Sequence, residues 1–371
     1  MLVYFLTIFI IFLLSFKDNN LSNNLLELNY IKRNNYFSGI LKTNRFLVFL
    51  ILALVSGLRY HVGTDYGEYS RGFYIFQNKL KLWNDIITFH EPVLAFVCFV
   101  SKFIYNDYAT MFMIMALLTV FFNVNTISRY SDSFFIGIML YIFIGSWHGS
   151  FNGMRQYLAA AILFAGHRFI KERKFKEYCL IVFSAMLCHR TALIFFPIFF
   201  VSTPKHEIRN LILIFLGMIL MAYSYSLFFD IMSELKGSDQ TKFAYMRQTV
   251  NFFRVAVACV PVILLMMLGP KGFLNPDDSF YFKMLIVNAA FMVATSGSAY
   301  LARVGVYSEI YATIAFPKLI NLFPKENRKL FTIIILTCYF IFWFWEVYSR
   351  DSLHYFHWIF ERDYYNPIIY Y

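Results

Sequence analysis

Apolar runs long enough to cross a membrane recur along the whole chain, and they constrain its fold more than any other feature. A helix needs about 20 consecutive apolar residues, with a range of about 17–25, to cross the hydrocarbon core of a bilayer. The runs are continuous rather than alternating, which favours helices over strands. We predict about twelve crossings, near residues 1–16, 44–58, 108–127, 134–147, 152–168, 175–188, 191–202, 210–229, 251–269, 282–300, 302–322 and 330–348.

The composition supports the same class. Of the 371 residues, 59% are hydrophobic and 15% are charged, whereas soluble domains average about 45–50% and about 25%. These proportions exclude a soluble globular enzyme, a disordered tail and a disulfide scaffold. The five cysteines lie within or beside apolar runs and show no metal-site spacing, so we predict no metal site.

We therefore predict an all-α fold, a polytopic bundle of membrane helices. Residues 1–348 form its single transmembrane domain, and residues 349–371 form an outer C-terminal tail. Segment 92–105 is apolar but short, and it carries Lys102. We interpret it as a re-entrant or interfacial helix, or as half of a tight hairpin, because backbone that dips into a membrane needs protein or water beside it.

Basic residues determine the predicted orientation. The formal net charge of +11 would suggest a nucleic-acid partner in a soluble protein. Here the cations lie in short gaps between apolar runs, as in cytoplasmic loops, so we predict lipid or phosphate contact and no nucleic acid. Placing the basic loops inside puts the N-terminus outside and makes 59–107 and 230–250 outer loops. The basic loops are 17–42, 167–176, 204–209 and 324–329.

The segment after the second apolar run, residues 57–74, holds acids and bases of both signs between glycines. Ionisable groups near a bilayer are costly and are therefore functional candidates. Asp65 is the candidate carboxylate for a general base or for orienting a hydroxyl. Gly63 and Gly67 suit a tightly folded loop, because glycine permits positive φ. A structural ion-pair cluster is the alternative interpretation.

A second polar segment, residues 147–161, opens a helix that we predict to run inward. Arg155 lies in its first turn, where a cation opposes the helix dipole. A bound anion would explain this placement. We therefore predict that Arg155 and the free N–H groups of the helix start hold a diphosphate. His148 is either part of this site or a hydrogen-bonded histidine at the interface.

His189 and the predicted outer loop 230–254 are two further functional candidates. His189 divides the run 179–200, where it would act as a base, donate to a phosphate, or cap a helix-hairpin turn. The outer loop 230–254, which includes Arg254, is a candidate lid or acceptor surface. The chain has no Walker A loop, GxSxG elbow, HExxH or DxD motif, so it lacks the signatures of ATP-driven pumps, serine hydrolases and soluble nucleotide-sugar transferases.

The last polar segment, residues 298–317, combines one arginine, one carboxylate and several tyrosines. Arg303 lies at an outer end, where it is a candidate phosphate ligand. Glu309 lies six residues further, inside the membrane, so it should face the bundle and pair or be protonated. Tyr300, Tyr307 and Tyr311 are near helical spacing, and either bind sugar or pack in the core.

Four stretches in this order resemble the EpsG family, the Wzy-type polymerases of capsule, exopolysaccharide and O-antigen clusters. The first stretch is the most specific, and the other three are weak individually. No motif in 230–278 or in the tail can be matched. The stretches are RYHVGTDYGEY (59–69), MRQYLAAAILF (154–164), CHRTALIFF (188–196) and ARVGVYSEIYATIAFP (302–317).

The resemblance implies a GT-C-like bundle that transfers glycans on the outer face of the cytoplasmic membrane. A growing glycan leaves undecaprenyl diphosphate and joins the non-reducing end of a lipid-linked repeat unit. No cofactor, metal or nucleotide sugar is implied. The implied partners are undecaprenyl-diphosphate-linked oligosaccharide and membrane lipid, with a chain-length regulator and a flippase of the same pathway.

The resemblance and the polar residues together give a predicted site. Its catalytic residues are Asp65 and His189, and its diphosphate-binding residues are Arg59, Arg155 and Arg303. Its substrate-binding residues are Tyr69, Gln156, Glu309 and Tyr300.

Three alternative functions stay open: a polyprenyl-phosphate-dependent glycosyltransferase, an O-antigen ligase, and a flippase or transporter of lipid-linked oligosaccharide. A transporter would show internal repeats and charges reachable from both sides of the membrane. The sequence shows no repeat, and the candidate charges collect on one predicted side, which favours a transferase.

Overall fold

A computed structural model describes most of the chain, and nearly all of it is helical, in agreement with the predicted all-α class. Most of the predicted crossing at 210–229 and most of the predicted loop 230–250 lie outside the described residues. The structure describes residues 1–22, 40, 42–79, 92–202, 248–268 and 276–362, and isolated positions between 209 and 224.

The helices follow one another with short connections. The first nine are α1 (Leu2–Ser22), α2 (Thr43–Gly57), α3 (Tyr66–Lys79), α4 (Pro92–Ile104), α5 (Tyr108–Tyr130), α6 (Phe134–Phe143), α7 (Ser146–Gly149), α8 (Met154–Lys171) and α9 (Phe175–Cys188). The others are α10 (Ile198–Val201), α11 (Phe252–Leu268), α12 (Pro276–Ala294), α13 (Ala299–Ala302), α14 (Val306–Glu309), α15 (Ala312–Leu322), α16 (Lys325–Tyr348) and α17 (Asp351–His354). Short 3-10 turns lie at Arg190–Phe195, Arg303–Gly305 and Ile359–Glu361, and two strands are β1 (Arg59–Tyr60) and β2 (His357–Trp358).

Two of the described helices, α5 and α16, are long and apolar enough to cross a membrane. They have 23 and 24 residues, which corresponds to about 35 Å at about 1.5 Å per residue. Helix α5 is central, because α2 and α8 pack against it and α9 packs against α8. The organisation is that of a helical membrane protein. The number and direction of the crossings stay predictions.

The structure divides several of the predicted runs. The run 134–147 contains a helix of 10 residues, α6, followed by Gly145 with a φ of +87°. The run 302–322 is divided into a 3-10 turn, α14 and α15, and the run 191–202 into a 3-10 turn and α10. The predicted run 175–188 coincides with α9. Gly145 and Gly305 both line a cavity, which is where irregular backbone is tolerated at membrane depth.

The described part of the C-terminal tail is tied to the rest of the bundle. Strand β2 pairs antiparallel with β1, so that Arg59 lies opposite Trp358. The Arg362 guanidinium donates to the Asp107 carboxylate at 2.6 Å. This hydrogen bond raises the pKa of the Arg362 guanidinium. The amino group of Met1 donates to the carbonyl of His354 at 3.0 Å. The described part of the tail therefore contacts the N-terminus, β1 and Asp107.

Helix α6 approaches its neighbours closely at Gly137. A Cβ atom there would lie 2.7 Å from Ile127 Cγ2 and 2.9 Å from the Thr313 carbonyl oxygen. Overpacking of this kind costs about 1–3 kcal/mol. We expect Gly137→Ala to lower the apparent Tm of the detergent-solubilised protein, as measured by tryptophan fluorescence. Gly72→Ala is the matched control, because the nearest atom to its new Cβ is in Phe76, at 3.9 Å. Equal Tm values for the two variants would contradict this account.

Candidate functional site

A cavity of about 610 Å³ lies where several helix ends meet. Its wall includes the end of α6, the start of α8, the end of α16 and the divided segment 299–312. Ligand pockets usually measure about 300–1,000 Å³ and combine apolar walls with a few polar groups. The cavity therefore has the size and composition of a binding site.

The wall of the cavity carries both charges and amides. Its amide side chains are Asn152, Gln156, Gln248 and Asn288. Amides both donate and accept hydrogen bonds, and arginines bind oxyanions. The amides suit a ligand with many hydroxyls, and each arginine is a possible contact for an oxyanion. The charged residues that the structure describes on the wall are three arginines and four carboxylates: Arg254, Arg303, Arg350, Asp65, Glu309, Glu346 and Asp351.

Two of the arginines share one carboxylate. Arg254 donates from Nε and Nη2 to the two carboxylate oxygens of Glu346. Arg350 donates to the same carboxylate at 2.7 Å. Paired charge-assisted hydrogen bonds of this kind are strong and fix geometry. Arg254 also interacts electrostatically with Glu309, so these two arginines face two carboxylates beside the cavity.

Asp65 lies on the cavity wall beside two other polar residues. The Thr64 amide donates to Asn152 Oδ1 at 2.7 Å, and the Thr64 hydroxyl lies 3.1 Å from Asp65 Oδ1. These contacts join the segment after β1 to the turn before α8. The structure thus brings together the polar segments 57–74 and 147–161.

Gly63 allows the segment after β1 to approach the turn before α8 closely. Its φ is +106°, and a Cβ there would lie 2.7 Å from the Phe151 carbonyl oxygen. Its amide donates to the Ser352 carbonyl at 2.8 Å. The predicted tight loop is therefore confirmed at Gly63. Gly67 instead lies within helix α3, without a positive φ.

Arg303 and the start of α8 meet at another part of the wall. The Gln156 side-chain amide donates to the Arg303 carbonyl at 2.9 Å, and the Arg303 side chain is exposed. Gly153, the residue before the first turn of α8, also lines the cavity. A helix N-terminus attracts anions through its free N–H groups and its dipole. Two independent features therefore favour an anion here.

Arg59 lies outside the cavity wall and is only 2% exposed. Its guanidinium donates to the carbonyls of Ser56, Val62 and Phe151. The rings of Phe112 and Phe151 lie 4.8 and 4.9 Å from its Cζ atom. These contacts give Arg59 a structural role, because they join α2 to two loops. We therefore leave Arg59 out of the proposed diphosphate site.

Four other predicted site residues are also absent from the described wall of the cavity. Arg155 lies in the first turn of α8, as predicted, and its Nε is 3.4 Å from the Tyr69 hydroxyl. His189 begins the turn after α9, and Tyr300 is 45% exposed. The structure gathers Asp65, Gln156, Arg303 and Glu309 at the cavity and places the others elsewhere.

Glu346 is not among the predicted site residues, although the sequence contains a signal for it. Glu346 is a carboxylate inside the apolar run 330–348, and it meets the same criterion that selected Glu309. Tyr307 and Tyr311 are 1% and 0% exposed. The packing interpretation therefore describes these two tyrosines better than sugar binding.

A bundle of apolar helices around a charged, amide-lined cavity defines a helical membrane protein with a site for a polar ligand. The sequence model of the EpsG family matches residues 42–359. The chain therefore belongs to the EpsG family, a family of Wzy-type polysaccharide polymerases. The resemblance inferred from the four motifs is confirmed.

Family membership sets the general activity. The protein is a polymerase-type membrane protein of polysaccharide biosynthesis, with glycosyltransferase-like activity on lipid-linked oligosaccharide in the membrane. Searches among curated proteins and among solved structures each found no significant match.

Proposed function

We propose that the protein polymerises undecaprenyl-diphosphate-linked repeat units on the outer face of the cytoplasmic membrane. The growing glycan leaves its carrier and is transferred to the non-reducing-end hydroxyl of the next lipid-linked repeat unit. The reaction needs no metal, cofactor or nucleotide sugar. The observation that carries this proposal is the cavity of about 610 Å³ in which arginines, carboxylates and amides line the inside of an apolar bundle.

Arg303 and the start of α8 are the proposed diphosphate site. The diphosphate gains negative charge as the sugar leaves, and a nearby guanidinium lowers the energy of that state. Arg155 contacts Tyr69 of helix α3. We therefore assign Arg155 to holding α3 and the start of α8 together.

The amide-rich part of the wall is the proposed sugar site. Asn152, Gln156, Gln248 and Asn288 offer donors and acceptors that match sugar hydroxyls. Tyr157 lines the same cavity and is partly exposed, so it offers aromatic surface for an amphipathic sugar. The amides and this ring together support a glycan as the ligand.

Conversion of purified substrate tests the proposed function. The full-length protein is reconstituted in lipid vesicles with lipid-linked repeat units isolated from its own host, and the products are separated by length. We expect a ladder of lipid-linked polymers that is unchanged by EDTA. Product limited to a single transferred unit would indicate a ligase or a one-sugar transferase. Failure with every repeat unit encoded by its own gene cluster would overturn the proposal.

A further inference from the structure

We infer that Glu309 is the general base of polymerisation, in place of Asp65 or His189. The inference rests on the proposed function, because it assigns the proton acceptor of the glycan transfer. Glu309 lies on the cavity wall together with Arg303, the proposed diphosphate ligand. Both residues belong to the divided segment 299–312, so one short stretch of chain would present the base and the cation that stabilises the leaving group.

The backbone around Glu309 is irregular. Glu309 ends α14, a helix of four residues, and the chain turns before α15 begins at Ala312. Irregular backbone at membrane depth needs protein or a watery cavity beside it. Here the cavity is present, and Glu309 is among the residues that line it.

The Glu309 carboxylate makes no hydrogen bond or ion pair with any residue that the structure describes. Arg254 acts on it electrostatically, but the Arg254 guanidinium is bonded to both oxygens of Glu346. A carboxylate at membrane depth is costly without a partner. Interaction with a substrate hydroxyl would give it one.

The groups around Glu309 come from three packed helices. Arg254 approaches from α11, Tyr157 from α8, and Glu346 and Tyr339 from α16. The two phenol hydroxyls can orient an acceptor sugar, and Glu346 keeps Arg254 from neutralising the base directly. The alternative base Asp65 has the Thr64 hydroxyl beside its carboxylate, and His189 is not among the described cavity residues.

The chemical step balances without another reactant. Glu309 accepts the proton of the acceptor hydroxyl while that oxygen bonds to the anomeric carbon of the donor glycan. The bond between this carbon and the diphosphate oxygen breaks, and the electron pair leaves with the diphosphate beside Arg303. Glu309 ends protonated and returns its proton to water in the cavity.

Steady-state kinetics of the reconstituted full-length protein with lipid-linked repeat units test the assignment. Glu309→Gln keeps the shape of the side chain but removes its basicity, so kcat should fall about 10²–10⁴-fold. KM for the repeat unit should change little. Glu309→Ala leaves space for a small acid, and sodium formate should restore part of its rate where sodium chloride does not. Glu68→Gln is the control, because Glu68 is exposed, pairs with Arg71 and is not among the described cavity residues.

Several outcomes would overturn the inference. One is a Glu309→Gln enzyme that keeps more than about a tenth of the wild-type kcat, since a general base contributes far more. Another is a Glu309→Ala enzyme that folds but gains nothing from formate, because that pattern indicates a structural role. Loss of kcat with formate rescue at Asp65→Ala alone would transfer the role to Asp65. A wild-type protein that makes no polymer overturns the proposed function itself.

Discussion

Arg303→Ala is expected to abolish polymer formation while the protein still inserts into the membrane. Arg303 lines the cavity, and its carbonyl accepts from Gln156 at the start of α8. Loss of one group that stabilises developing negative charge lowers kcat by about 10²–10³-fold. The measurement is polymer length in cells that produce the variant, together with its amount in the membrane fraction.

Two further variants show whether the guanidinium itself matters. Arg303→Lys keeps the charge but loses the planar fork that suits a diphosphate, so partial activity is expected. Arg71→Ala is the matched control, because the Arg71 side chain is 65% exposed and is not among the described cavity residues. It should leave polymer length unchanged. The assignment of Arg303 fails if its alanine variant also makes polymer of normal length.

Arg59→Met is expected to destabilise the fold rather than to impair substrate binding specifically. The Arg59 guanidinium donates to three carbonyls and is almost fully buried. Methionine would leave these carbonyls without a donor in an apolar environment. We expect a loss of stability of about 3 kcal/mol or more. The apparent Tm of the solubilised protein and its membrane level should both fall.

The polymerase rate per amount of folded protein distinguishes a structural role of Arg59 from a role in diphosphate binding. If Arg59 is structural, the folded fraction of Arg59→Met should retain most of its polymerase rate. Arg59→Lys should be intermediate in stability, since it keeps the charge but offers fewer directed donors. A variant with normal Tm and normal membrane level that makes no polymer would instead support diphosphate binding by Arg59, the role predicted from the sequence.

The apolar runs predicted the helices but not their interruptions. The predicted run at 175–188 coincides with α9, because apolar length is a local property of the sequence. The run at 302–322 is broken at Arg303–Gly305 and again before α15. These breaks lie where the chain borders the cavity. No local feature of an apolar run shows that neighbouring helix ends will leave space beside it.

The residues of the candidate site also depend partly on local sequence and partly on contacts with distant parts of the chain. Arg303 and Glu309 stand out in the sequence because ionisable groups in or beside apolar runs are costly wherever they fall. Arg59 satisfies the same criterion, but its role depends on the carbonyl of Phe151, 92 residues further along the chain. Arg254 meets Glu346 across an equal separation of 92 residues.

The amino-acid sequence by itself determined the helical membrane class, the family and several of the ionisable residues that line the cavity. Only the tertiary structure decided which of those residues share the cavity and which are satisfied by backbone carbonyls. The physical reason is that the cost of placing a charge near lipid is local, whereas the partner that offsets this cost comes from distant parts of the chain.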